Sequence, residues 1–135
     1  MDSVSPARRS EIMSRVRSRD TAPEMLVRRL THAMGYRYRL HAKELPGRPD
    51  LVFRPRRKVI FVHGCFWHRH FGCSLARMPK SRTDFWAPKL EANRQRDLNV
   101  ERALREANWA VLTIWECELG DIDRLKKKIR EFLDA

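Results

Sequence analysis

Two short runs, DLVF (50–53) and KVIFVH (58–63), are apolar almost without interruption. A half-exposed strand would alternate; strands of this kind need cover on both faces, as in a sheet packed between helices. The link between them, RPRR, leaves room only for a turn. Flanking segments supply the cover. Thr21 and Glu24 fit a capping box with Pro23 in the first turn. Met25, Leu26, Leu30, Ala33 and Met34 then form an apolar helical face that Gly35 ends. YRYRLH (36–41) alternates like a half-buried strand, and KELPGRP (43–49) is a loop set by two prolines and a glycine. Residues 74–82 read as loop, 84–107 as a long polar-faced helix, and 109–116 as a buried strand. Residues 121–134 read as a helix with Ile122, Leu125, Ile129, Phe132 and Leu133 on its apolar side. A further short basic helix is expected over 5–17, with Ser5 as N-cap and Pro6 following. The expected fold is α/β, a mixed central β-sheet flanked by helices. Residues 1–20 form a basic N-terminal segment and 21–135 a single domain.

Charge narrows the partners. The 135 residues carry 29 Lys and Arg against 17 Asp and Glu, a formal charge of +12. Such an excess in one small domain points to a polyanion, whose binding releases counterions and weakens with salt. No basic amphipathic anchor helix, apolar leader or long apolar run stands out, so no membrane partner and a cytoplasmic location are expected. Three cysteines in a chain of that location argue against a disulfide framework.

Directly after the second apolar run comes HGCFWHRHFGC (63–73), with three His, two Cys and a Trp in eleven positions. Cys65, His70, Cys73 and Cys117 are the composition of a Cys3His zinc site. The His70–Cys73 pair has a chelating bite, whereas Cys117 must be brought in by the fold. On spacing alone, buried or free thiols beside a surface histidine explain these residues equally well. The deaminase pattern, H-x-E followed by P-C-x-x-C, and the C2H2 finger spacing are both absent.

The same region suggests a catalytic edge. Asp50 opens one expected strand beside a tight loop, where a carboxylate can hold Mg2+ near a phosphate. His63 ends the next strand and His68 follows five residues later. A carboxylate anchor with imidazoles for proton transfer suffices for phosphodiester hydrolysis. Each residue alone has an ordinary structural explanation; together, in a +12 domain, they favour a nuclease.

The segments MSRVRSRDTAPE, LPGRPDLVF, VIFVHGCFWHRH, SRTDFW and WAVLTIWECEL, in this order, closely resemble the very short patch repair (Vsr) mismatch endonucleases of bacteria. The resemblance runs over roughly residues 8–119. It implies a restriction-endonuclease-like core with one structural Zn2+, a catalytic Mg2+, and nicking of one strand of double-stranded DNA 5′ of the T in a T:G mismatch. Such mismatches arise by deamination of 5-methylcytosine. By this resemblance Asp50 matches the metal-bridging aspartate and Val62 a position offering its backbone carbonyl to the metal. His63 matches the histidine that bonds metal-bound water, His68 the general acid/base, and Asp97 its acidic neighbour. Glu24 matches an acid supporting the metal waters. Cys65, His70, Cys73 and Cys117 match the zinc ligands. Phe66, Trp67 and Trp86 match residues that wedge into the base stack, and Met13 is a further candidate wedge. One departure stands out: HFGC carries an extra residue between the zinc histidine and the next cysteine, so His68 and His70 could exchange roles. Two other functions share these residues, a zinc-stabilised DNA-binding module without catalysis and a restriction-type endonuclease acting on unmodified duplex. The latter normally needs a dimer; no distinct dimerisation helix is seen, and a monomer is expected.

Overall fold

The computed structural model describes residues 21–78 and 81–135. The expected helix over 5–17, the candidate wedge Met13 and the basic segment 1–20 lie outside the described residues. Within them the chain forms helices α1 (Ala22–Ala33), α2 (Thr83–Glu106) and α3 (Ile122–Asp134) and strands β1 (Arg39–Leu40), β2 (Leu51–Phe53), β3 (Lys58–His63) and β4 (Ala110–Trp115). The four strands make one sheet in the order β1-β2-β3-β4. The first two pairings are antiparallel and β3–β4 is parallel, with α2 in the crossover. This is the mixed α/β arrangement the apolar runs require.

The sheet has a core on each face. Leu51, Phe53, Ile60 and Ile114 point to one side, where they meet Val27 of α1 and Leu125, Ile129 and Leu133 of α3. Val52, Val59, Phe61 and Val111 point to the other, against Leu104 of α2 and Trp109. Alternation along each strand feeds both layers. Complete burial of such a side chain contributes about 1.5–3 kcal/mol.

The helices follow their signals with instructive differences. In α1, Thr21 Oγ1 accepts the Glu24 N–H at 3.3 Å, as a capping residue should. The buried side of α1, however, is Glu24, Val27 and Thr31, with Met25, Leu30 and Met34 only half-buried. Thr31 satisfies its hydroxyl on the Val27 carbonyl at 2.7 Å, and Glu24 is turned inward by partners described below. The α3 stripe is Leu125, Ile129 and Leu133, and Asp121 caps its start through the Arg124 N–H at 3.1 Å. Lys58 Nζ and Arg56 Nη1 donate to carbonyls in its last turn, at 2.6 and 2.7 Å to Phe132 and Leu133.

The expected strand over 36–41 shrinks to the exposed pair Arg39–Leu40. Its tyrosines bond away from the sheet, Tyr36 to Asp134 at 2.8 Å and Tyr38 to the Arg28 carbonyl at 2.9 Å. His41 then takes φ +45°, a left-handed turn that ends the strand.

Candidate active site and metal centres

Antiparallel pairing of β2 with β3 sets Leu51 opposite Ile60. The residue before β2 therefore reaches the last turn of β3, and Asp50 Oδ2 accepts the Val62 N–H at 2.7 Å. Asp50 and His63 thus face one cleft of about 570 Å³, also lined by His41, His68, Asp97, Lys43, Arg48 and Arg96. Burial pushes the Asp50 carboxyl up to about 7; the Val62 N–H opposes that shift and the neighbouring Glu24 charge adds to it.

Glu24 is 2 % exposed. Its carboxylate lies 2.8 Å from His41 Nε2 and 3.2 Å from Arg28 Nη1. His41 Nε2 is also 4.0 Å from Asp50 Oδ1. One ligand-type atom from each of Glu24, His41 and Asp50 lies within 4.8 Å of the others, close enough to share a cation. His41 is the member that sequence reasoning missed. It is the last residue of the strand expected over 36–41, where it takes a left-handed backbone and its ring meets Glu24 of α1.

In the same cleft, the His63 and His68 rings stack with centroids 3.8 Å apart and planes 7° from parallel. His68 Nδ1 lies 2.6 Å from Asp97 Oδ2 on α2. That bond orients the ring and leaves Nε2 as its working nitrogen. His63 Nδ1 is buried and finds no hydrogen-bond partner among the described residues. Burial, with His68 beside it, lowers the His63 pKa to about 4, so the ring is neutral near pH 7. Ligand-type atoms of His63, His68 and Asp97 also lie within 4.8 Å of one another.

The four zinc candidates converge beyond the end of β3. Ligand atoms of Cys65, His70, Cys73 and Cys117 lie within 4.8 Å of one another. His70 Nδ1 is 3.6 Å from Cys65 Sγ and 3.4 Å from Cys117 Sγ. A tetrahedral zinc with Zn–S near 2.3 Å and Zn–N near 2.0 Å sets such S···N edges at about 3.5 Å. The residues therefore fit that ion. Cys117 comes from a 3-10 turn over Glu116–Gly120, directly after β4, which pairs with β3. The His70 ring stacks on Trp115 at 4.2 Å. Burial pushes the Cys65 thiol up to about 12, whereas backbone N–H groups, chiefly that of Leu75, lower Cys73.

The extra residue in HFGC is absorbed locally. Gly72 takes φ +71° and Phe71 loops out, 99 % exposed. His70 accordingly meets the cysteines while His68 meets Asp97, and the two are not exchanged. Phe66, Trp67 and Trp86 gather outside both cores, with edge-to-face centroid distances of 5.1 to 5.8 Å. Phe85, 40 % exposed, extends the group at 5.0 Å from Trp86 and carries Arg82 and Lys89 over its ring. Sequence reading passed over Phe85. Its cue was an apolar residue in the polar first turn of α2.

The model of the family described as DNA mismatch endonuclease Vsr matches residues 1–74. The chain is similar to the type II nicking enzyme V.XorIIP of Xanthomonas oryzae pv. oryzae, 54 % identical over 133 residues, 98 % of this chain and 97 % of that one. It is 39 % identical to the type II nicking enzyme V.NmeAIP of Neisseria meningitidis serogroup A over 138 residues, 99 % and 98 % of the two chains. It is 43 % identical to the DNA mismatch endonuclease Vsr of Escherichia coli K12 over 119 residues, 88 % of this chain and 76 % of that protein. The chain belongs to the Vsr family and is a DNA endonuclease.

Proposed function

We propose that the protein is a Mg2+-dependent endonuclease that nicks one strand of duplex DNA 5′ of the T in a T:G mismatch, within a particular sequence context. By this reading it starts very short patch repair of deaminated 5-methylcytosine, acting in the cytoplasm as a monomer on a restriction-endonuclease-like core. The observation that carries the reading is one cleft that gathers Asp50 and His41 with the His63–His68–Asp97 array, Glu24 lying buried behind His41. Relatives whose names describe nicking enzymes favour a single-strand cut over a restriction-type double-strand break.

When bound at Asp50 and the Val62 carbonyl, Mg2+ would offset charge on the scissile phosphate and activate the attacking water. The remaining work falls to the chain. Asp97 fixes the His68 tautomer, and His68 Nε2 moves the proton as general acid/base. The neutral His63 ring holds His68 in plane by stacking. Lys43, Arg48 and Arg96 line the cleft and draw in the phosphodiester backbone. Zn2+ held by Cys65, His70, Cys73 and Cys117 would contribute folding free energy and fix the loop that carries His68. Trp67, Trp86 and Phe66 would enter the base stack at the poorly stacked mismatch.

End-labelled duplexes with one T:G pair test the reading. With Mg2+, the nick should map to the phosphate 5′ of that T. Chelation with EDTA and the Asp50→Ala variant should each abolish it. Cutting at another phosphate, or by Asp50→Ala, would refute the assignment.

A further inference from the structure

We propose that His41 is a ligand of the same divalent cation, through Nε2, so that the site is a mixed nitrogen and oxygen set rather than all oxygen. The inference rests on the reading of Asp50 as a cation ligand and goes beyond it. His41 Nε2 stands 2.8 Å from Glu24 Oε2 and 4.0 Å from Asp50 Oδ1. In an octahedral shell with bonds of about 2.1 Å, neighbouring donors are about 3.0 Å apart and opposite donors about 4.2 Å. The 4.0 Å separation from Asp50 matches opposite donors of one ion, and the 2.8 Å contact is the hydrogen bond that Nε2 donates to Glu24 in the cation-free site, where the ion would take the place of that proton.

The ring is also placed for the task. The His41 N–H donates to the Asp50 carbonyl at 3.4 Å, which ties the imidazole to the strand carrying the aspartate. An imidazole that only neutralised Glu24 would duplicate Arg28, already 3.2 Å from that carboxylate. It would also need no access to solvent, yet His41 lines the cleft together with Asp50.

An imidazole ligand changes metal preference. Carboxylates, carbonyls and water suit Mg2+, whereas nitrogen donors favour later divalent ions. Mn2+ shares the oxygen preference of Mg2+ but accepts an imidazole more readily, so any Mn2+ preference of the site should narrow in His41→Gln. Glutamine keeps the reach of the side chain and presents an oxygen.

The test uses the full-length, zinc-loaded protein without DNA, titrated with Mn2+ and followed by electron paramagnetic resonance. Pulsed measurements on bound Mn2+ should show the modulation of a directly coordinated 14N. His41→Gln should lose that modulation and weaken Mn2+ binding by roughly 10-fold or more, while Mg2+ affinity changes far less. No 14N modulation in the unmodified protein, or its persistence in folded His41→Gln, would overturn the proposal. Should His41→Gln fail to fold, the modulation must survive in His63→Gln and His68→Gln; its loss in either would overturn the proposal too. Asp50→Asn separates the two readings. Loss of Mn2+ binding in that variant with no 14N modulation in the unmodified protein refutes only the His41 ligand, whereas unchanged binding refutes Asp50 as the anchor and the His41 proposal with it.

Discussion

Asp50 is a buried carboxyl whose charged form costs the fold near neutral pH. Its carboxyl is pushed from an ordinary 3.8 up to about 7, so the folded state holds this proton more tightly than the unfolded chain. That stabilisation is present below about pH 4 and is lost as pH rises towards 7. The gap corresponds to roughly 4 kcal/mol at most. Asp50→Asn keeps an oxygen for the Val62 N–H and removes the buried charge. The cation-free variant should therefore melt higher than the unmodified protein at pH 8, with little difference at pH 4, while losing all nicking. Equal melting temperatures at pH 8 would contradict the burial argument. Asp97 works one residue removed from the chemistry. Asp97→Asn should lower kcat by about 100-fold or more, with KM for DNA little changed, because it frees the His68 tautomer and leaves the DNA-binding surface intact. Single-turnover nicking at saturating DNA measures this. Both candidates were named from the sequence by different routes, Asp50 as an acid at a strand start and Asp97 only by family resemblance, and the structure brings both to one cleft. The contact of His41 with Glu24 was not legible, because it joins residues 17 positions apart across a backbone turn that composition does not encode.

At the scale of elements, the parallel β3–β4 pair is what unites distant parts of the sequence. It sets His63 opposite Trp115, and so brings Cys117 beside Cys65 across 52 positions of chain. The apolar runs announced these strands, and the Cys and His cluster announced the knot. The fourth candidate ligand, Cys117, could be anticipated only as a cysteine after a buried strand. The expected strand over 36–41 failed because both tyrosine hydroxyls bond elsewhere, which alternation alone does not reveal. The helical face on α1 was misplaced because the buried side is centred on Val27, with the acid Glu24 in the first turn and Thr31 completing it. Cys117→Ser should release zinc and cost several kcal/mol of stability, about 10 °C or more in Tm. About one zinc per chain is expected in the unmodified protein. Elemental analysis with thermal melting checks both; a zinc-free protein of unchanged Tm would dismiss the centre.

On the scale of the whole molecule, the +12 charge, the aromatic group and the cleft divide the work of recognition. On the proposed function, basic residues would bind any duplex and the cleft would cut, so discrimination would fall to aromatic insertion at a weak step. Deleting residues 1–19 removes Arg8, Arg9, Arg15, Arg17 and Arg19. It should weaken DNA binding and flatten its salt dependence, by up to about 0.9 in log–log slope for each phosphate that is no longer neutralised. An unchanged slope would exclude that segment from the interface. Mismatch-directed nicking is tested most directly by comparing rates on two duplexes that differ only in T:G against T:A, with each strand labelled in turn. The expected result is a cut in the T-bearing strand of the mismatched duplex alone, with a T:G preference that Trp67→Ala and Trp86→Ala reduce. Equal rates on both duplexes, or cleavage of both strands, would contradict it.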